Sequence, residues 1–119
     1  MKFCWSTLRV ANMSRSLEFY RDLLGLEINR RFPFGPGGEI VFLGKGETLV
    51  ELIADGTGKK AQLGPDISWG FEVPSLDEMM EKMKQAGIEA QGPYQPNPHV
   101  RFFYVLDPDG MKIQFVENL

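Results

Sequence analysis

The sequence contains the same order of predicted elements twice, at an offset of 63 residues. Each half reads as a strand, a helix and three further strands. At this offset apolar residues match apolar residues, as in Leu8 with Phe71 and Leu52 with Phe115. Because each copy is too short to bury a large core by itself, this pattern predicts a duplicated β-α-β-β-β fold.

The two predicted modules span about residues 1–54 and 67–119, and residues 55–66 form a linker with three glycines and one proline. We predict one domain over residues 1–119. The first helix is expected to start after Asn12 or Ser14 and to end near Leu24. The second is expected to open at the capping box Ser75-Leu-Asp-Glu78. After it we predict a short strand over residues 88–91 and a proline-rich loop over residues 92–98.

Composition excludes several classes of function. The net charge of −3 argues against a general nucleic-acid-binding protein, which needs a basic surface. No apolar run approaches the length that spans a membrane, and the N-terminus lacks a leader pattern, so cytoplasm is the expected location. The single cysteine, Cys4, cannot form an internal disulfide and is expected to lie in the core. The single histidine, His99, rules out a metal site that needs two histidines from one chain.

The segment Tyr104–Glu117 has the pattern of a β-hairpin around the turn Asp107-Pro-Asp-Gly110. Pro108 fixes φ for a turn, and Gly110 can adopt a positive φ. If Gly110 takes the left-handed position of a type I turn with a bulge, Tyr104 pairs with Gln114.

Strand alternation then groups the polar and aromatic residues that share a face. The better helix-covered face is formed by alternate apolar residues: Leu8, Val10, Ile67, Trp69, Phe71 and Val73. By the offset, Val41 and Leu43 are expected on the same face as Glu51. Sheets that curl over the opposite face would enclose a cleft with these lining residues: Trp5, Arg9, Glu51, Ser68, Glu72, Phe102, Tyr104 and Gln114.

Two segments carry a resemblance to a known family. They are Leu8-Arg-Val-Ala-Asn-Met-Ser-Arg-Ser-Leu-Glu-Phe-Tyr-Arg-Asp-Leu-Leu-Gly-Leu26 and Asp107-Pro-Asp-Gly-Met-Lys-Ile-Gln-Phe-Val-Glu117. Together with the duplication, they resemble the vicinal oxygen chelate superfamily of glyoxalase I, bleomycin-resistance proteins and extradiol dioxygenases. The resemblance implies an α+β fold whose duplicated modules form a curled, mostly antiparallel sheet around a cleft, with the helices outside. It also implies a homodimer.

In the metalloenzymes of that family each module supplies two metal ligands, and the glyoxalase I pattern is His or Gln, Glu, His, Glu. The resemblance maps these positions onto Trp5, Glu51, Ser68 and Gln114. Only Glu51 has a family ligand type, since an indole N–H can only donate and Ser and Gln are weak neutral ligands. We therefore expect no metal and no other cofactor at these positions.

Several residues keep two interpretations. Glu51 is either a hydrogen-bonded remnant of a metal site or an acid or base that faces a ligand. Trp5, Phe102 and Tyr104 are either core or a stacking surface. Arg9 matches a position that binds a substrate carboxylate in glyoxalase I, or it pairs with Glu72. His99 is either an exposed loop residue or a ligand contact.

The sequence therefore favours a metal-independent protein that binds a small organic molecule, in the manner of the bleomycin-resistance branch. Its acidic balance would tolerate a cationic ligand. The alternative is a glyoxalase-like lyase, isomerase or dioxygenase with an altered metal site. We expect neither nucleic acid nor membrane as a partner.

Overall fold

The computed structural model describes residues 1–46 and 48–119. The chain divides into two compact units, Met1–Gln62 and Leu63–Leu119. Each has one helical segment and one four-stranded mixed sheet in the order β-α-β-β-β. The predicted α+β fold with duplicated modules is confirmed. That the two units act as one domain stays a prediction.

The first unit is built on a sheet in which the first and last strands are neighbours. Its strands are β1 (Trp5–Arg9), β2 (Ile28–Pro33), β3 (Glu39–Leu43) and β4 (Leu49–Ala54). The order across the sheet is β1-β4-β3-β2, and only the β1–β4 pair is parallel. The crossover helix α1 (Met13–Leu17) begins at Asn12, whose side chain accepts a hydrogen bond from the Arg15 N–H.

The helix of the first unit differs from the single α-helix that the sequence predicts. From Glu18 to Leu23 it continues as a π-helix, with the Leu24 N–H bonded to the Phe19 carbonyl. The wider turns bury both Phe19 and Tyr20, which a regular 3.6-residue period would rotate further apart on the helix surface.

The second unit repeats this arrangement. Its strands are β5 (Ser68–Glu72), β6 (Gln91–Asn97), β7 (Val100–Leu106) and β8 (Lys112–Asn118), and its helix is α2 (Leu76–Gln85). The order is β5-β8-β7-β6, with β5 parallel to β8. As the capping box predicts, the Ser75 hydroxyl accepts a hydrogen bond from the Glu78 N–H at 3.2 Å. No helix in the described part of the chain has the length and apolar character needed to cross a membrane.

The prediction for residues 88–98 is wrong. The strand covers residues 91–97, of which the sequence predicts 92–97 as loop, and residues 88–90 of the predicted strand lie outside it. Pro93 and Pro96 are tolerated because β6 is an edge strand with one neighbour, so half of its N–H groups need no partner. The ladder is irregular, and its pairs include Gln91 with Tyr104 and Tyr94 with Phe102.

The closing hairpin is confirmed. Tyr104 pairs with Gln114, and Gly110 has a φ of 88°. The buried carboxylate of Asp107 accepts hydrogen bonds from the backbone N–H groups of Asp109 and Met111, each at 2.8 Å. This side chain therefore holds the turn that sets the register of β7 and β8.

The expected face of the first hairpin is wrong. Phe42 pairs with Glu51, so Val41 and Leu43 lie on the opposite face and are fully buried. Leu43 pairs with Val50, whereas in the second unit Val105 pairs with Ile113. The first hairpin is thus one residue shorter, and a change of one residue inverts the face of a strand.

The helix-side cores follow strand alternation, with two exceptions. In the first unit α1 packs against β4, and Leu8, Val10 and Leu52 are buried. In the second, α2 packs against β8, where Ile113 and Phe115 are buried. Cys4 and Ile67 were expected in these cores but are exposed, because each precedes the first strand of its unit.

We predict that Asp107→Ala lowers the free energy of unfolding by about 2–3 kcal/mol, because two backbone donors in the turn lose their acceptor. Urea unfolding followed by circular dichroism measures the change. Asp66→Ala, at an exposed linker position, is the matched control. Equal stability of both variants would contradict the role of this carboxylate.

Candidate functional site

In each unit one face of the sheet carries the helix, and the other, called here the open face, does not. The first open face is formed by Arg30, Phe32, Ile40 and Phe42 with Trp5, Thr7, Arg9, Leu49, Glu51 and Ile53. The second is formed by Tyr94, Phe102 and Tyr104 with Ser68, Gly70, Glu72, Lys112, Gln114 and Val116. Every cleft residue that the sequence predicts falls on one of these faces. That they line a common cleft stays a prediction.

A polar pair lies at the centre of the first open face. The parallel register of β1 and β4 puts Thr7 beside Glu51, and the Thr7 hydroxyl donates to a Glu51 carboxylate oxygen at 2.5 Å. Glu51 is half-buried. Thr7 is not among the predicted cleft residues, although alternation with Trp5 and Arg9 places it on this face. A carboxylate in the apolar run of β4 is tolerated because one of its oxygens has a hydrogen-bond donor.

Aromatic rings and one guanidinium form the rest of the first open face. Trp5, which is 43% exposed, packs edge-on against Phe42 with ring centroids 5.2 Å apart. The Arg30 guanidinium carbon lies 4.3 Å from the Phe42 ring centroid and 5.9 Å from that of Trp5. Arg30 forms no salt bridge with any residue in 1–46 or 48–119. Strand alternation puts Arg30 on the same face as Phe32, so its position could have been predicted. The position of Phe42 could not, because it depends on the length of the first hairpin.

Arg9 is exposed at the end of β1 and lines a cavity of about 380 Å3 with Asp55, Lys59 and Lys60. The pKa of Asp55 is lowered, first by the hydrogen bond from the Thr57 hydroxyl and then by that from the Thr57 N–H; Arg9 adds a smaller contribution. Asp55 thus stays ionised among three cations. This composition allows the cavity to accept an anionic group.

The second open face carries a cluster of three rings. The ring centroid of Phe102 lies 5.6 Å from that of Tyr94 and 5.6 Å from that of Tyr104. The centroids of Tyr94 and Tyr104 are 6.3 Å apart. The Lys112 ammonium lies 4.2 Å from the Tyr104 ring centroid. The Gln114 amide donates to the Tyr104 hydroxyl at 3.3 Å. These rings line a groove of about 650 Å3. Tyr94 is not among the predicted cleft residues because the sequence predicts a loop where β6 lies.

Some of the remaining polar residues of the second open face are hydrogen-bonded, and others are exposed. A Cβ added at Gly70 would lie 3.3 Å from Oε1 of the Gln114 side chain. The Gln114 amide oxygen therefore lies over Gly70. Glu72 accepts a hydrogen bond from the Asn118 amide at 2.6 Å, and Ser68 is exposed. His99 is exposed in the turn after β6, where its backbone N–H bonds the Asn97 side chain at 2.8 Å. Its role as a ligand contact stays a prediction.

The profile of the Glyoxalase/Bleomycin resistance protein/Dioxygenase superfamily matches residues 3–115. The chain belongs to this superfamily. The family resemblance noted in the sequence is thereby confirmed.

Relatives of similar length are known lyases. The chain is 32% identical to the lactoylglutathione lyase of Neisseria meningitidis serogroup A over 127 residues, which cover 99% of this chain and 91% of the relative. It is 30% identical to that of Escherichia coli O157:H7 over 133 residues, with coverages of 99% and 93%.

Solved structures share the fold at lower identity. The trypanothione-dependent glyoxalase I of Leishmania major has a TM-score of 0.84 at 21% identity, covering 98% of this chain and 86% of that one. TnmS3, an antibiotic-binding protein from Streptomyces sp. CB03234, has a TM-score of 0.73 at 16% identity, with coverages of 100% and 97%. At these identities the likeness establishes the fold alone, and one fold carries many functions.

The residues at the superfamily's metal positions do not fit a zinc or nickel ion. In the first unit Trp5 has no lone pair to donate, so of its two mapped positions Glu51 alone offers a ligand. In the second, Ser68 and Gln114 offer only neutral oxygens, which are poor ligands for these ions. Within the described residues, no three His, Cys, Asp or Glu side chains are grouped as metal ligands would be.

We predict that Thr7 and Glu51 are energetically coupled. In a double-mutant cycle of Thr7→Val, Glu51→Leu and the double variant, the coupling free energy should be about 0.5–1 kcal/mol, because each single change leaves the other group without its partner. Chemical denaturation of the four proteins measures it. Strictly additive losses would show that this hydrogen bond does not stabilise the fold.

Proposed function

We propose that this superfamily member binds a small organic molecule on its aromatic open faces without using a metal. The observation that carries the proposal is the donor set at the four metal positions. It contains one carboxylate, one indole, one hydroxyl and one amide, and the carboxylate has a hydrogen-bond donor inside its own unit. Such a set can form hydrogen bonds to a ligand but cannot complete the coordination of zinc or nickel.

The proposed contacts follow from the chemistry of the two faces. Exposed rings provide flat apolar surface for stacking, and Trp5 and Tyr94 are each more than two-fifths exposed. Glu51, Ser68 and Gln114 provide polar points that fix the orientation of a ligand, as is usual for small-molecule sites. Arg9, Glu72 and His99 are further candidate contacts. The groove on the second open face is large enough for a drug-sized molecule.

A second candidate function is supported by the relatives. Identity of 32% over 99% of the chain to a lactoylglutathione lyase favours a glyoxalase-like lyase with an altered site. The cationic cavity at Arg9 is compatible with a substrate that carries a carboxylate. Against this candidate, Gln114 cannot serve as the carboxylate base that the superfamily resemblance assigns to its position.

Metal content discriminates between the two. We predict that protein purified under chelator-free conditions and then equilibrated with nickel or zinc retains substoichiometric metal. The triple variant Trp5→His, Ser68→His, Gln114→Glu should retain stoichiometric metal, because it restores nitrogen and carboxylate ligands at the positions that lack them. Elemental analysis after gel filtration measures both.

Glu51→Ala should abolish metal retention in the triple variant, whereas Glu81→Ala, on the exposed face of α2, should not. Stoichiometric nickel or zinc in the native chain, lost in Glu51→Ala, would overturn the metal-independent proposal. Turnover of the hemithioacetal of methylglyoxal and glutathione by the metal-loaded native chain would then establish the lyase.

We also propose that the chain forms a homodimer, as the superfamily resemblance implies. Light scattering coupled to gel filtration at micromolar concentration should then give twice the mass of one chain. The mass of a monomer across the concentration range would contradict this proposal.

A further inference from the structure

The second open face has a cation on its aromatic surface. The Lys112 ammonium lies 4.2 Å from the Tyr104 ring centroid, and its side chain is half-buried. Lys112 lies on β8 and pairs with Leu106 of β7, which is two residues from Tyr104 and on the same face. The aromatic groove therefore has a fixed positive charge at one end.

Among residues 1–46 and 48–119, no acidic side chain lines this groove. Gln91, Tyr94, Phe102 and Tyr104 line it together with Lys112, and every side chain around it other than that lysine is uncharged. Glu72 lies on the same face but is hydrogen-bonded to Asn118. Glu89 lines the adjacent cavity, which shares Lys112. Neither forms a salt bridge with Lys112, for which the described residues supply no ion-pair partner.

Local charge decides which ligand this surface accepts. The net charge of −3 favours cations only at long range, and salt screens such fields beyond about 8–10 Å. Within the groove, a cationic ligand would meet a like charge and would compete for a ring face that Lys112 already occupies. An ionised oxygen would instead complete the lysine's missing ion pair.

Resting on the proposed function, we propose that the second open face binds a planar organic anion, specifically a flat aromatic or conjugated compound that carries a carboxylate. Its ring stacks on Tyr94 and Phe102, and its carboxylate accepts hydrogen bonds from Lys112. The Gln91 side chain, at the same end of the groove, offers an amide donor for a second oxygen. The acidic balance of the whole chain would tolerate a cationic ligand, but for this face we propose an anionic one.

Three probes of equal shape test the proposal: anthracene-2-carboxylate, its neutral carboxamide and the corresponding aminomethyl cation. Fluorescence titration should give the carboxylate an affinity about tenfold above that of the amide, the size expected for a partly exposed charge-assisted contact. The cation should bind most weakly. High salt should reduce the difference between carboxylate and amide.

Paired variants locate the effect. Lys112→Met should lower the affinity for the carboxylate to that for the amide and leave the amide unchanged. Lys82→Met removes the same charge from an exposed position on α2 and should change nothing. Tyr94→Leu should weaken all three probes, because it removes a stacking surface from an edge strand. Circular dichroism confirms that each variant is folded.

The outcomes separate the two proposals. Equal binding of the three probes, weakened by Tyr94→Leu, would overturn the anion preference and leave small-molecule binding standing. Tightest binding of the cation, or a carboxylate preference that survives Lys112→Met, would likewise overturn it. Failure of the native chain to bind any of the three, with or without added zinc, would count against the aromatic face as a binding surface and against both proposals.

Discussion

The parallel pairing of the first and last strand within each unit is the constraint on which the candidate site depends. It places Thr7 beside Glu51 in the first sheet and Gly70 beside Gln114 in the second. A parallel pair needs a crossover connection, and the helix that provides it covers one face of the sheet and leaves the other open. Side chains from both ends of each module are therefore gathered on a single face, where they can contact the same ligand.

The superfamily resemblance implies a metal centre on this scaffold, and the side chains at the positions it maps do not suit one. Its first and last strands keep the pairing, while three of the four metal positions carry an indole, a hydroxyl and an amide. The groups that remain are suited to stacking and neutral hydrogen bonding. Cations lie on aromatic rings in both units, Arg30 in the first and Lys112 in the second. They come from different strands, β2 and β8 respectively, so the duplication itself does not account for both.

Most of the fold could be predicted because it rests on local signals. The cap at Ser75, the turn at Asp107 and the alternation in β8 each depend on neighbours within a few residues. The errors arose where a distant partner decides the structure. Strand β6 forms despite two prolines because it has only one neighbour, and the face of Phe42 depends on the length of a hairpin.

The candidate site was predictable to the same extent. Alternation placed Tyr104, Gln114 and Glu51 on faces free of helix, because successive side chains of a strand point to opposite faces of the sheet. The contacts of the cations with the rings were not predictable, since side-chain stacking across strands requires the register and the rotamers together. Net charge does not describe the charge next to the rings: Lys112, which has no salt bridge within the described residues, lies closer to them than a screened long-range field can act.

The most direct test of the account is an amide NMR titration of the native chain with a planar aryl carboxylate in the presence of a metal chelator. Binding on the second open face without a metal should give saturable shifts centred on Tyr94, Phe102, Tyr104 and Lys112, with the helix α2 unaffected. If these residues responded only after the chelator was removed and nickel or zinc was added, with the change centred on Glu51, the open faces would be parts of a metal centre and the account would be wrong.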